Sequence, residues 1–323
     1  MYHLLLSVFL LIIGFVLLIK GADFFVDGSS NVAKMFKVPP IIIGLTIVAM
    51  GTSLPETAVS VTASLMNNNA LAISNAIGSN IFNLLVVTGC SCLFVPMAVQ
   101  IKTLKEEFPF SIFCALLLLG LGFLGMNISH LGFIEMSLSR TDGMVLLAVF
   151  ACYLLWMIRS ALKARNEAEE NEEETLPLWK CIVFILGGAV AIKYGGDFVV
   201  EGASEIASSF GMSQNLIGLT IVALGTSLPE LVTSVVAAKK NEVDMALGNV
   251  IGSNIFNILL VLGVASTISP IEFIMENVYD IIILCVMSVI VWLFAWTKRE
   301  LDKKEGLLML LMYACYMVYI FMR

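Results

Sequence analysis

The sequence is poor in charge, in histidine and in the pairings from which active sites are usually built. Only 13% of its 323 residues are Asp, Glu, Lys or Arg, about half the share of an ordinary soluble domain, so most of the chain cannot present a conventional water-facing surface. Its two histidines, His3 and His130, form no HExxH or similar pattern, which leaves a metalloprotease without support. Seven cysteines stand at 90, 92, 114, 152, 181, 285 and 315, with no CxxC pair. Almost all of them lie inside apolar runs, and small buried core thiols are the expectation. No nucleophile–base arrangement is visible, so no enzyme activity and no cofactor are expected. No basic stripe suggests nucleic acid, and the net charge of −7 owes much to one acidic patch. The N-terminus has no basic n-region and too long an apolar run for a cleavable signal peptide.

What the chain has instead is hydrocarbon. Hydrophobic residues make up 59% of it, and runs of about 20 apolar residues, enough to cross about 30 Å of lipid, recur along its length. The pattern predicts an all-α polytopic membrane protein with ten spans near 4–33, 40–66, 70–95, 107–127, 142–162, 179–209, 214–238, 244–269, 278–297 and 305–322. The first and sixth exceed one bilayer, which predicts tilt or an extension beyond the lipid.

The chain also repeats itself. Gly44–Glu56 reads GLTIVAMGTSLPE, and 174 positions later Gly218–Glu230 reads GLTIVALGTSLPE. Gly78–Asn83, GSNIFN, returns letter for letter as Gly252–Asn257. The repeat defines two units of five spans, residues 1–162 and 178–323. They are joined by 163–177, whose acidic run Asn166–Glu174 reads as a solvated linker without the spacing of a calcium loop. Fourteen of the 18 basic residues lie in the loops after spans 1, 3, 5, 7 and 9. That bias assigns those loops to the cytoplasm and both termini to the outside. Equivalent loops of the two units carry opposite bias: Lys34 and Lys37 match Ser208 and Gly211, whereas Lys239 and Lys240 match Leu65 and Met66. Five spans per unit would turn the second copy upside down, giving the inverted repeat common among secondary transporters.

Each copy places a glutamate at membrane depth, where an ionisable group is a functional site by default. In span 2, Ala49, Thr52, Ser53 and Glu56 share one helix face, and Pro55 is expected to free the carbonyl of Gly51 within a kinked helix. Span 7 repeats this with Ala223, Thr226, Ser227, Pro229 and Glu230. In spans 3 and 8, Asn75, Ser79 and Asn83, and Asn249, Ser253 and Asn257, recur every four residues. Every one of these groups offers oxygen, the ligand of hard cations such as calcium and sodium. Asp23, Asp27, Asp197 and Glu201 sit near the ends of spans 1 and 6. They are expected to partner helix ends or to serve ion access, with Lys20 and Lys193 pairing with them or snorkelling.

At these residues the chain resembles the calcium/cation antiporters, and most closely the prokaryotic sodium/calcium exchangers. GTSLPE followed by GSNIFN, once per half, is similar to that family's two signature repeats, and the resemblance covers all ten spans. It implies the sodium/calcium exchanger fold and a set of ion ligands. These are the Ala49 carbonyl, Thr52, Ser53, Glu56, Ser79 and Asn83 in the first half, and the Ala223 carbonyl, Thr226, Ser227, Glu230, Ser253 and Asn257 in the second. Several relatives carry aspartate where this chain has Asn257, which removes one possible charge. The resemblance implies exchange of extracellular sodium for cytoplasmic calcium across the cell membrane by alternating access, in the service of calcium homeostasis. Calcium and sodium would be the substrates and the bilayer the surrounding partner. A cation/proton antiporter is the nearest alternative and a cation channel a more distant one.

Overall fold

The computed structural model describes residues 2–66, 68–125, 127–128, 134–167, 175–212, 221 and 223–322. Helix α1 runs from Tyr2 to Met35 and ends where Lys37 turns left-handed, at φ 54°, ahead of Pro39 and Pro40. Proline excludes the helical conformation from the residue before it, so the chain restarts at α2, Pro40–Thr52. After a break at Ser53 (φ −85°, ψ 10°) comes α3, Leu54–Leu65, bent from α2 by 50°. Long helices follow: α4 (Asn69–Phe94), α5 (Thr103–Leu124), α6 (Arg140–Glu167) and α7 (Leu178–Ser209). Beyond α7 come the short helical turn Ala223–Gly225, α8 (Leu228–Lys239), α9 (Val243–Ile268), α10 (Met275–Lys298) and α11 (Lys303–Met322). Eight of these helices are long and apolar enough to cross a membrane, and α2 with α3 makes a ninth, broken span. Part of the expected seventh span, residues 213–220 and 222, lies outside the described residues.

Several expectations are corrected. Pro55 does not kink a continuous helix: it stands in the first turn of α3, where its missing N–H leaves no helical bond unmade. The Ala49 carbonyl accepts from the Ser53 backbone N–H at 3.0 Å and lies 3.3 Å from Thr52 Oγ1. Helix α5 begins at Thr103, before the expected 107, through a widened π turn over Thr103–Glu107. Helix α6 runs on to Glu167, into the segment read as linker. Cys152 and Cys315 are exposed on the outer faces of α6 and α11, where surrounding hydrocarbon suits a thiol as well as a core does.

The chain is also not purely helical. Strand β1 (Met97–Ala98) pairs with β5 (Glu300–Leu301), and β2 (Asn127–Ile128), β3 (Ile134–Leu138) and β4 (Ile271–Phe273) form a second small antiparallel sheet. The strands satisfy loop backbone at the ends of the spans, where water is scarce. The first sheet ties the loop after α4 to the loop after α10, and the second ties the loop after α5 to the loop after α9.

Helices α4 and α9 are the most deeply buried spans and form the centre. Helix α2 lies against α9 at backbone distance: a Cβ on Gly44 would sit 2.5 Å from the Met245 carbonyl oxygen, and one on Gly248 2.6 Å from that of Ile41. Helices α1 and α7 pack along each other through small residues. Gly14 meets Gly195, Gly21 meets Gly188, Gly28 meets Cys181, and Gly202 meets Ser7. Residue numbers rise along α1 as they fall along α7, so the two helices are antiparallel. Close approach of this kind replaces hydrophobic driving force with van der Waals contact, as packing within lipid requires.

Polar side chains tie this pair to the rest at one end. Lys240, just after α8, pairs with Asp27 at 2.7 Å and Asp23 at 3.5 Å, and Ser30 bonds Glu242. Lys20 pairs with Asp23 at 3.6 Å and Lys193 with Asp197 at 2.6 Å, both within their own helices. Partnering with the end of α8 therefore accounts for Asp23 and Asp27, while Asp197 pairs within its own helix.

Candidate cation site

The two breaks, after α2 and before α8, set the site. Each places a serine, Ser53 or Ser227, at the N-cap of a helix that starts with Leu-Pro-Glu, so Glu56 and Glu230 both lie in a first turn. The orphan N–H groups and positive dipole end found there favour a carboxylate at a depth where water cannot. Both side chains are fully buried, and they are electrostatic neighbours.

The two halves cross-brace through hydroxyls. Ser53 Oγ donates to Glu230 Oε1 at 2.9 Å, and Ser227 Oγ donates to Glu56 Oε1 at 3.0 Å. Ser227 Oγ also lies 3.0 Å from Ser79 Oγ. Thr52 Oγ1 reaches Asn249 Oδ1 at 3.0 Å, while Thr226 bears on Glu56, and Thr52 and Ser253 bear on Glu230. Behind each glutamate an asparagine holds the broken turn. Asn75 Nδ2 donates to the Glu56 carbonyl (3.3 Å) and Ser60 Oγ (3.0 Å), and Asn249 Nδ2 to the Glu230 carbonyl (3.5 Å) and Ser234 Oγ (2.9 Å).

The unpaired atoms matter as much as the paired ones. Glu56 Oε2, Glu230 Oε2, both amide atoms of Asn83, Ser253 Oγ and Asn257 Oδ1 are buried without a hydrogen-bond partner among the described residues. Among the described residues neither carboxylate has an ion pair. Two buried carboxylates with idle oxygens are strongly unfavourable unless a cation or proton joins them. Among the described residues no three His, Cys, Asp or Glu side chains gather elsewhere as a metal cluster. The free donors are hard oxygens, and they suit a hard cation.

The residues expected from sequence converge. Ser53, Glu56, Ser79, Ser227 and Glu230 interlock through the bonds above and Thr52 joins them through Asn249, while Ser253 is buried beside them and Thr226 borders the cavity on one flank. Asn83 and Asn257 begin equivalent π turns, Asn83–Val87 in α4 and Asn257–Val261 in α9, the widened turns that recur at functional sites. Ala49 lies buried where α2 meets α9, and Ala223 opens the short turn before Thr226.

The flanks of the site differ. On one, a Cβ on Gly252 would lie 2.7 Å from Ala49 Cβ; on the other, a Cβ on Gly78 would meet no atom of the described residues within 4 Å. A cavity of about 310 Å³ fills that second flank, reaching Ser79 and Thr226 past Leu71, Gly78, Leu224 and Tyr316.

The match to known proteins is extensive. The model of the sodium/calcium exchanger protein family matches residues 6–159 and 180–322. The chain belongs to the sodium/calcium exchanger family. It is 33% identical to the sodium/calcium exchanger MaX1 of Methanosarcina acetivorans, with 97% of each chain covered. It is 36% identical to the inner membrane protein YrbG of Escherichia coli, over 91% of this chain and 90% of that one. Its fold superposes on the sodium-calcium exchanger NCX_Mj soaked with sodium and calcium at a TM-score of 0.83 and 34% identity, covering 97% and 98% of the two chains. As an exchanger of this family it is a multi-pass membrane transporter that carries cations, calcium and sodium among them.

Sequence reasoning missed one pair in this exchanger. Asn80 and Asn254 face each other across the centre, each Nδ2 donating to the other's carbonyl at 3.1 and 3.3 Å, and Asn257 Nδ2 donates to Asn80 Oδ1 at 3.0 Å. The signal was present: the middle asparagine of GSNIFN recurs in both copies. The four-residue spacing, however, drew attention to its neighbours Ser79 and Asn83.

Proposed function

We infer that this exchanger moves calcium against sodium through a single site between its two halves, with Glu56 and Glu230 as the charged ligands. The observation that carries the reading is the reciprocal brace of Ser53 on Glu230 and Ser227 on Glu56, which leaves one oxygen of each carboxylate idle. Either carboxylate can complete the shell of a divalent ion or be shared among sodium ions. The Ala49 and Ala223 carbonyls, Thr52, Ser53, Ser79, Asn83, Thr226, Ser227, Ser253 and Asn257 supply the neutral oxygens.

The chain is read as ten spans in two inverted repeats, 1–162 and 178–323. The antiparallel α1–α7 pair and the reciprocal contacts between residues 174 apart support that reading. Both termini are assigned to the outside. The sheets agree with this, since each ties together two loops that the basic-residue bias assigns to one side. On that orientation the flank sealed by Gly252 faces the cytoplasm and the cavity beside Gly78 faces out, an outward-facing state. Alternating access would close the second flank and open the first, carrying calcium outward as sodium enters and holding cytoplasmic calcium low.

The test is calcium flux into proteoliposomes with a sodium, a potassium or a pH gradient imposed in turn. Sodium-driven flux supports the reading. Flux that follows only the pH gradient replaces sodium with protons, and flux far above exchanger rates without any counter-ion replaces exchange with a channel.

A further inference from the structure

Two cavities lie end to end on the outer face of α5 and α6, lined by none of the cation-site residues. One, about 620 Å³, is apolar and lined by Phe110, Val145, Val149, Cys152 and Tyr153 among others. Its neighbour, about 520 Å³, is lined by Lys102, Arg159, Ser160 and Lys163, and Trp156 and Glu106 border both. Along α6, Val145, Val149, Cys152 and Trp156 continue into Arg159 and Lys163 on one helix face. From Val145 to Trp156 the helix rises about 16 Å at about 1.5 Å per residue, close to half of the roughly 30 Å hydrocarbon thickness. The apolar cavity is thus one leaflet deep, and the basic one begins where headgroups begin.

The charges there are not balanced among themselves. Lys102 holds Glu106 at 4.0 Å, bonds Ser160 Oγ at 2.5 Å and lies 5.8 Å above the Trp156 ring. Lys163 pairs with Glu167 at 3.8 Å, both largely exposed, and such a pair is weak and readily exchanged. Arg159 is exposed and has no partner among the described residues. A guanidinium without a partner among the described residues, beside an ammonium and a hydroxyl, suits a phosphodiester.

We propose that this paired cavity is a binding site for one anionic phospholipid, its acyl chain along Val145–Trp156 and its phosphate on Arg159, Lys163 and Ser160. Neutral lipid fills the apolar part equally well, so the basic rim is what selects. Each basic residue near an anionic headgroup is worth about fivefold in affinity. The site does not depend on which ion drives transport.

Fluorescence of Trp156 reads it directly. The full-length protein is reconstituted in phosphatidylcholine bilayers containing increasing fractions of a phosphatidylglycerol or a phosphatidylcholine with brominated acyl chains. Subtracting the signal of Trp156→Phe isolates the local quenching from that of Trp179, Trp292 and Trp296. The expectation is half-maximal quenching at a several-fold lower fraction of brominated phosphatidylglycerol than of brominated phosphatidylcholine. In Arg159→Gln/Lys163→Gln, whose substitutions lie on the exposed face, the two curves should converge. Equal curves in the wild-type protein overturn the proposal, and so does a preference that survives the double substitution.

Discussion

Replacing Gly195 with alanine tests the α1–α7 seam. The added Cβ would lie 2.7 Å from the Leu18 backbone nitrogen, 2.8 Å from the Gly14 carbonyl oxygen and 3.1 Å from Leu17 Cβ. None of these is the end of a flexible side chain, so the strain cannot be relieved by a rotamer change. Ordinary contact begins near 3.4 Å, and the helices would have to part by about 0.7 Å along a tightly packed seam. Overpacking of this kind costs about 1–3 kcal/mol. Alanine also favours helix over glycine by about 1 kcal/mol, which would mask part of the effect. Gly187, on the exposed face of the same helix with nothing within 4 Å of its Cβ position, supplies the control. Both substitutions share the propensity gain, so their difference isolates the seam. Reversible unfolding of the two variants in mixed micelles should separate them by about 1–3 kcal/mol, with Gly187→Ala the more stable. Equal stabilities would refute the argument that the seam is closed at backbone distance.

Further outcomes follow from the site and the loops. Glu56→Gln and Glu230→Gln should each lower calcium exchange about tenfold or more while membrane levels stay normal; robust sodium-driven flux in either variant would remove that residue from the ion site. Gly252→Ala, with Ala49 Cβ 2.7 Å away, should destabilise the fold by about 1–3 kcal/mol. A cysteine at Asn68 should react with an impermeant thiol reagent from outside intact cells and one at Glu242 only from the cytoplasm, in a cysteine-free background; labelling from one side alone contradicts the inverted arrangement. Asp302 caps α11, bonding Lys298 at 2.7 Å and the backbone N–H groups of Lys304 and Glu305 at 2.8 and 3.0 Å. The Lys298 ammonium foremost, and then the Glu305 N–H, lower its pKa to about 2. Since that is below the usual value of about 3.9, its contribution is complete above about pH 4 and is lost as pH falls toward 2. Hydrogen exchange in the first turn of α11 should accelerate over that window, and in Asp302→Ala should be fast throughout.

Much of this was legible because it is written twice. A glutamate one turn past Thr-Ser, repeated with GSNIFN, identified the residues that converge, and long apolar runs located every described span to within a few residues. The local backbone was less legible. Pro55 suggested a kink, but its place in a first turn depends on Ser53 leaving helical geometry, which packing decides. The π turns at Asn83 and Asn257 leave no periodic trace, because one extra residue per turn is lost in an apolar background. The strands are two to five residues long, too short for alternation to register.

The α1–α7 seam has a further consequence, in the language of ancestry. Its contacts match Gly14 to Gly195 and Gly21 to Gly188, and in the repeat Gly195 corresponds to Gly21 and Gly188 to Gly14. Likewise Gly202, which meets Ser7, corresponds to Gly28, and Cys181, which meets Gly28, corresponds to Ser7. A second α1 laid antiparallel on the first would therefore offer the same small residues in the same order. The seam is self-complementary, the mark of an isologous contact, and a half-length forebear inserted in both orientations could have paired through it. In such a homodimer every substitution struck the seam twice. Within one chain that burden is halved, and serine and cysteine can stand at corresponding positions of a contact that a homodimer would oblige to be identical.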